Sequence, residues 1–389
     1  MDYAKEEKRL IAGTYARQPL LILKGRGAIV EDDRGRKYID CFSGIAVNNV
    51  GHCHPKVVEA IQRQAETLIH TSNLYYTEPQ LRLAGLLHKV SGGYQSFFCN
   101  SGAEANEAAI KLVRKFTGKS EIIAAENSFH GRTLATLSAT GQDKYKKAFK
   151  PLPVGFKHVP FGDAGAIKKR VSEKTAAVLL EPIQGEGGVM VPPEGYLKEV
   201  AEICGEEGIL LVLDEVQTGF GRTGEMFAWQ GVGVKPDIFT LAKALGGGIP
   251  IGAMLAKKEV MAAFKPGDHA STFGGNPVTT AAAAAAIEVI LKEGLVKRSR
   301  DMGRYLIQGL RRLKKTYPFI SEVRGRGLMI GLELNRPCQV LVDRAREKGL
   351  LLNCTHGNVL RFTPPLVIEK EQIDTILEIL STLFSEVDP

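Results

Sequence analysis

Ile209-Leu210-Leu211-Val212-Leu213 is an aliphatic run without polar alternation. A strand wetted on one side alternates polar with apolar residues, so an unbroken run this short reads as a strand buried on both faces. Both faces must then be covered, and helical patterns at 103–116, 164–171 and 197–206 can cover them. Strand-like runs at 96–99, 121–125, 177–180, 238–241 and 253–256 share the pattern. Strands alternating with helices predict an α/β fold with a mainly parallel sheet.

The two ends read differently. Residues 20–24, 28–32 and 37–41 predict an antiparallel meander with a turn at Asp33-Arg34-Gly35. From Pro277 an alanine-rich helix leads to a long helix at 295–314, strands at 320–323 and 328–334, and helices at 338–348 and 371–384. The expectation is a large domain over 51–276 and a smaller α+β domain built from 1–50 and 277–389. The 389 residues suffice for two such cores.

Charge narrows the partners less than it first promises. The chain carries 51 Lys+Arg against 43 Asp+Glu, a net +8, which suits nucleic acid, an anionic membrane or small anions. The runs at 168–170 and 311–315 fall on predicted helices and read as solvated faces. No nucleic-acid module is recognisable. The apolar run 281–286 is far short of a membrane span, and the start MDYAKEEKRL has no signal-peptide core. Cysteines 41, 53, 99, 204, 338 and 354 are scattered without a C-x-x-C pair, which predicts reduced thiols in a cytoplasmic protein.

Three places carry chemistry. Ser101-Gly102-Ala103-Glu104 stands between a predicted strand and a helix. Ser101 and Glu104 fit a capping box, and the helix N-terminus offers free N–H groups to an anion such as a phosphate. Asp214 closes the most hydrophobic strand, where ligands bind in open α/β sheets, although a cap or an ion pair would also explain it. Lys243 follows the next buried strand and precedes Gly246-Gly247-Gly248. Desolvation there would lower its pKa, as a Schiff-base amine requires. A carboxylate for a pyridinium nitrogen, a lysine and a phosphate loop together define a pyridoxal 5'-phosphate (PLP) site.

Two other patterns carry less. Gly219-Phe220-Gly221-Arg222-Thr223-Gly224 matches G-x-G-x-x-G, but no clean helical period follows, so it is not read as a dinucleotide site. His52 and His54 lack a third ligand, and Pro55 opens a helix, so no metal site is expected.

With these motifs in hand, the chain resembles the class III aminotransferases of PLP fold type I, and among them the branch acting on N2-acetyl-L-ornithine. The likeness spans essentially the whole chain and is densest at 100–107, 128–132, 181–188, 213–224, 241–248 and 271–276. It implies that Lys243 bears the cofactor and shuttles a proton, and that Asp214 keeps the pyridine nitrogen protonated. Phe129 would stack on the ring, Gln217 would bond its phenolic oxygen, and Val216 belongs to the same cofactor-binding set. The Ser101-Gly102-Ala103 backbone would cradle the phosphate, where Ala103 replaces the family's threonine and removes one hydroxyl. The partner subunit's Thr272 would complete that cradle, which implies a homodimer with shared active sites.

The resemblance also implies that Arg132 binds the α-carboxylate of the acylated substrate, helped by Ser271. Arg361 would grip that of glutamate or 2-oxoglutarate, with Glu186 masking it while the ω-amine is bound. Tyr15 matches an aromatic of the substrate site shared with ornithine enzymes. Ile45 stands where those enzymes carry tyrosine, which disfavours free ornithine. The implied reaction moves the δ-amino group of N2-acetyl-L-ornithine to 2-oxoglutarate, in arginine biosynthesis. Ornithine, 4-aminobutyrate, succinylornithine and lysine-biosynthesis intermediates are the alternatives. A PLP decarboxylase or racemase keeps the fold, but paired Arg361 and Glu186 argue for two alternating substrates.

Overall fold

A computed structural model describes residues 3–387; Met1 and Asp2, which open the polar start, lie outside it. The aliphatic run becomes the strand Leu210–Asp214, buried along its whole length. It sits in a seven-stranded sheet whose order is Gln95–Cys99, Gly252–Ala256, Ile238–Leu241, Leu210–Asp214, Thr175–Leu180, Glu121–Ala125, Phe156–Val159. Only Gly252–Ala256 runs antiparallel to its neighbours; the other pairings are parallel. The sheet is therefore mainly parallel, as expected. Phe156–Val159 escaped sequence detection because it is an edge strand, mostly half-buried and mixed in polarity.

Helices predicted at 103–116, 164–171 and 197–206 appear as Gly102–Thr117, Ala164–Arg170 and Tyr196–Glu206. Each parallel strand delivers its carboxyl end to the same edge, where Asp214 ends its strand and Glu181 and Lys243 follow theirs.

The meander Ile22–Arg26, Ile29–Asp32 and Lys37–Asp40 gains Leu350–Leu351 as a parallel fourth strand, so the two ends of the chain share a sheet. A further antiparallel sheet runs Ile320–Arg326, Met329–Leu334, Val359–Phe362, Asn353–Thr355. Arg222, inside the glycine-rich lure, is fully buried and ties distant segments together. Its guanidinium donates to Leu328 O at 2.8 Å, Pro364 O at 2.6 Å and Asn49 Oδ1 at 2.5 Å. The helix that follows the lure, Ala228–Val232, has only five residues. His52 pairs with Asp40 at 2.7 Å, and His54 caps the helix Pro55–Thr67.

The cysteine expectation needs correction. Cys338 and Cys354 form a disulfide, with Cα atoms 5.8 Å apart. The helix Gln339–Glu347 carries the chain out and back, so that its start meets the edge strand Asn353–Thr355. Their separation of 16 residues gives no sign of this return. Cys41, Cys53, Cys99 and Cys204 are free thiols. Among the described residues, no helix is long and apolar enough to cross a membrane.

Candidate active site

A cavity of about 440 Å³ opens at the carboxyl ends of the central strands. Ser101, Gly102, Ala103, Phe129, Arg132, Glu186, Asp214, Val216, Gln217 and Lys243 all line it. These segments are far apart in sequence, and the sheet topology alone brings them together.

At one end lies the N-terminus of Gly102–Thr117. Ser101 Oγ accepts from Glu104 N at 3.2 Å, which is half of the expected capping box. The Glu104 carboxylate reaches one residue further back, to Asn100 N at 2.5 Å and Asn100 Nδ2 at 2.9 Å. The first-turn N–H groups of Gly102 and Ala103, which no helix can satisfy internally, are thereby left for an anion. Gly102 is required by packing as well: a Cβ there would lie 2.9 Å from the Val216 side chain.

At the other end, Asp214 is buried in a network the sequence did not disclose. Its Oδ2 accepts from Asn106 Nδ2 and faces His130 Nδ1, both at 2.8 Å, while Oδ1 accepts from Val216 N at 3.1 Å. Asn106 is held in turn by Thr240 Oγ1 at 2.7 Å. Neither His130 nor Asn106 carries a local signal, because one lies in a loop and the other on an ordinary helix face. Glu181 did carry one: it directly follows a wholly buried strand, as Asp214 ends another. Its carboxylate accepts from Phe129 N and Gly185 N, both at 3.0 Å. Burial pushes its pKa up to about 7, further raised by Asp214 and opposed by His130.

Lys243 projects from a residue with φ of +46°, a strained conformation for a side-chain-bearing residue and characteristic of functional sites. Burial lowers its pKa, with Arg361 acting in the same direction and Glu186 and Asp214 against it. The amine form is therefore more accessible than in an exposed lysine.

Glu186 bridges the cavity to Arg361, which is 1% exposed and lies just behind the wall. Arg361 Nη1 donates to Glu186 Oε1 at 2.5 Å and to Gln217 Oε1 at 3.2 Å. Burial pushes the Glu186 carboxyl up, but the Arg361 and Lys243 charges outweigh it and hold the group below its usual range. Arg132 is exposed at the mouth, with its guanidinium 4.1 Å from the Tyr145 ring centroid and 5.5 Å from that of Phe129.

Besides Arg361, three expected residues do not line this cavity. Ser271 Oγ accepts from Asn100 Nδ2 at 3.2 Å and Gly274 N at 2.9 Å, at the cavity's shoulder. Thr272 is exposed beside it. Tyr15 is 72% exposed on the N-terminal segment, under the Arg17 guanidinium.

These groups fit PLP on their chemistry. A desolvated amine, a buried carboxylate with Oδ2 already engaged, and unpaired helix N–H groups line one cavity of suitable size. The helix end suits the phosphate, Asp214 the pyridine nitrogen, and Lys243 the aldehyde.

Comparison with known proteins agrees. The acetylornithine aminotransferase of Methanothermobacter thermautotrophicus is 58% identical over 381 residues, covering 98% of both chains. That of Methanocaldococcus jannaschii is 54% identical, covering 98% of this chain and 97% of its own. An ornithine aminotransferase structure from Toxoplasma gondii, described as partly occupied by PLP at its active site, superposes with a TM-score of 0.96 at 36% identity. It covers 100% of this chain and 94% of its own. The family model for aminotransferase class-III matches residues 11–384, and the chain belongs to that PLP-dependent family.

Proposed function

We propose that this aminotransferase moves the δ-amino group of N2-acetyl-L-ornithine to 2-oxoglutarate, giving N-acetyl-L-glutamate 5-semialdehyde and L-glutamate. The carrying observation is that Arg361, paired with Glu186 at 2.5 Å, adjoins the cavity of Lys243 and Asp214. A carboxylate-binding arginine already occupied by a movable carboxylate suits two substrates taken in turn. One brings a carboxylate to Arg361, and the other presents a bare ω-amine end beside the masked charge.

Bound here, PLP supplies an electron sink that stabilises negative charge at the amine-bearing carbon. Lys243 Nζ holds the cofactor and then moves the proton at that carbon, a role that its lowered pKa favours. Asp214 keeps the ring nitrogen protonated, with His130 and Asn106 orienting its carboxylate. Phe129 would stack on the ring and Gln217 would bond its phenolic oxygen, with Val216 in the same cofactor-binding set. Arg132, without a carboxylate partner among the described residues, receives the α-carboxylate of the acylated amine.

Relatives at 54–58% identity named for acetylornithine support this substrate over free ornithine, whose enzyme in Toxoplasma is 36% identical. Ile45, where the ornithine enzymes carry tyrosine, also weighs against free ornithine.

A homodimer accounts for the residues outside the cavity. Ile69, Leu74, Tyr75, Tyr76 and Phe273 are all exposed, and Asn73 ties their two loops together through Ser271 O and Gly274 O. Burying this apolar surface against a second copy would carry Thr272 to the partner's phosphate end, and Tyr15 lies on a segment equally free to reach across. Within each subunit we assign 51–276 to the cofactor domain and 1–50 with 277–389 to the smaller one.

Steady-state kcat/KM for acetylornithine, ornithine, succinylornithine, acetyl-lysine and 4-aminobutyrate tests the substrate. Acetylornithine should lead, and a higher value for ornithine or 4-aminobutyrate would overturn the assignment.

A further inference from the structure

Arg361 is held from two sides. Nη1 faces Glu186 and Gln217, toward the cavity. On the opposite side, Nε and Nη2 both donate to a single atom, Asn353 Oδ1, at 3.1 Å and 2.7 Å. Asn353 is directly across from Arg361 in the antiparallel pairing of Asn353–Thr355 with Val359–Phe362. Two residues further on, Thr355 Oγ1 donates to the backbone carbonyl of Glu186 at 3.0 Å.

One short strand therefore fixes both the guanidinium and the main chain of its masking partner. The freedom that remains is rotation of the Glu186 side chain, which is 22% exposed against 2% for that of Arg361. Cys354 lies between the two anchors and is bonded to Cys338, pinning the strand to the start of a helix.

We propose that Asn353 is the positioning residue of the carboxylate site: it keeps Arg361 still when Glu186 leaves, so that an incoming dicarboxylate meets a preformed fork. This takes Arg361 as the dicarboxylate site, as proposed above. A neutral amide oxygen suits the task. A carboxylate at the same place would neutralise the guanidinium permanently and compete with the substrate, whereas an apolar residue would let the charge follow Glu186 out of register.

The test uses holoenzyme with Asn353→Leu, which keeps the branched shape but removes the acceptor, and Asn353→Ala. Calorimetric binding of glutarate, an unreactive five-carbon dicarboxylate, is measured beside the two half-reactions in single turnover. Both variants should bind glutarate about tenfold more weakly and show a raised KM for 2-oxoglutarate, as expected for lost hydrogen bonds to a charged group. The amine half-reaction should stay within about twofold of the native rate. Unchanged glutarate affinity, equal losses in both half-reactions, or failure of both variants to fold would overturn the proposal. If the native enzyme itself neither binds glutarate nor accepts 2-oxoglutarate, it is the assignment of Arg361 that fails.

Discussion

His130 Nδ1 lies 2.8 Å from Asp214 Oδ2, and both side chains are buried. The imidazole therefore fixes the rotamer of the carboxylate, together with Asn106. Its Nε2 has no hydrogen-bond partner among the described residues, an unusual cost for a buried ring nitrogen. His130→Leu should lower kcat by about 10- to 100-fold and weaken cofactor retention, as loss of an orienting partner does. Asp214→Ala should cost about 1,000-fold or more. Equal kcat in native and His130→Leu enzyme, with unchanged cofactor dissociation, would remove the imidazole from the account.

Glu186→Ala leaves Arg361 permanently open. The amine half-reaction with acetylornithine should fall by about tenfold, because the bare end of the amine would then face an unmasked charge. Glutamate's half-reaction should hold within a few fold. Rapid-mixing absorbance of each half-reaction reads this directly, and a parallel fall in both would show that Glu186 is not a mask.

Two buried carboxyls titrate near neutrality. Burial pushes both Glu181 and Glu215 up to about 7, with Glu215 sealed against Thr218 and the Trp229 N–H. The folded pKa lies above the unfolded value of about 4.3, so the native state binds more protons in between. Stability from these groups is greatest below that unfolded value and declines as pH rises toward 7. Infrared spectra should show a protonated-carboxyl band that titrates near pH 7 and shrinks in Glu181→Gln and Glu215→Gln. No such band under mildly acidic conditions would mean that both groups are ionised.

The Cys338–Cys354 disulfide closes a loop over a separation of 16 residues, worth about 3 kcal/mol in the chain-entropy picture. Spread over the unfolding entropy of so long a chain, its loss should lower Tm by about 4 °C. Calorimetry of the Cys338→Ser/Cys354→Ser double variant checks this, and an unchanged Tm would contradict it.

What the sequence disclosed follows a physical line. Leu210–Asp214 and Thr175–Leu180 were legible because burial on both faces leaves no polar alternation, and Asp214 and Lys243 because a charge after such a strand is conspicuous. Glu181 obeyed the same rule. Val359–Phe362 went unseen because Arg361 interrupts its apolar run, and Asn353–Thr355 because three residues carry no measurable period. His130 and Asn106 act through partners many residues away, and Asn353 through a cross-strand pairing, none of which is apparent before the chain folds. The Cys338–Cys354 pairing was hidden for the same reason.

The central claim is transfer of one particular nitrogen. N2-acetyl-L-ornithine labelled with heavy nitrogen at the δ position is incubated with enzyme, PLP and unlabelled 2-oxoglutarate, and the glutamate formed is weighed by mass spectrometry. The account predicts glutamate carrying the label, in equal amount to the semialdehyde, and none with Lys243→Ala. Unlabelled glutamate, or semialdehyde formed without glutamate, would contradict it.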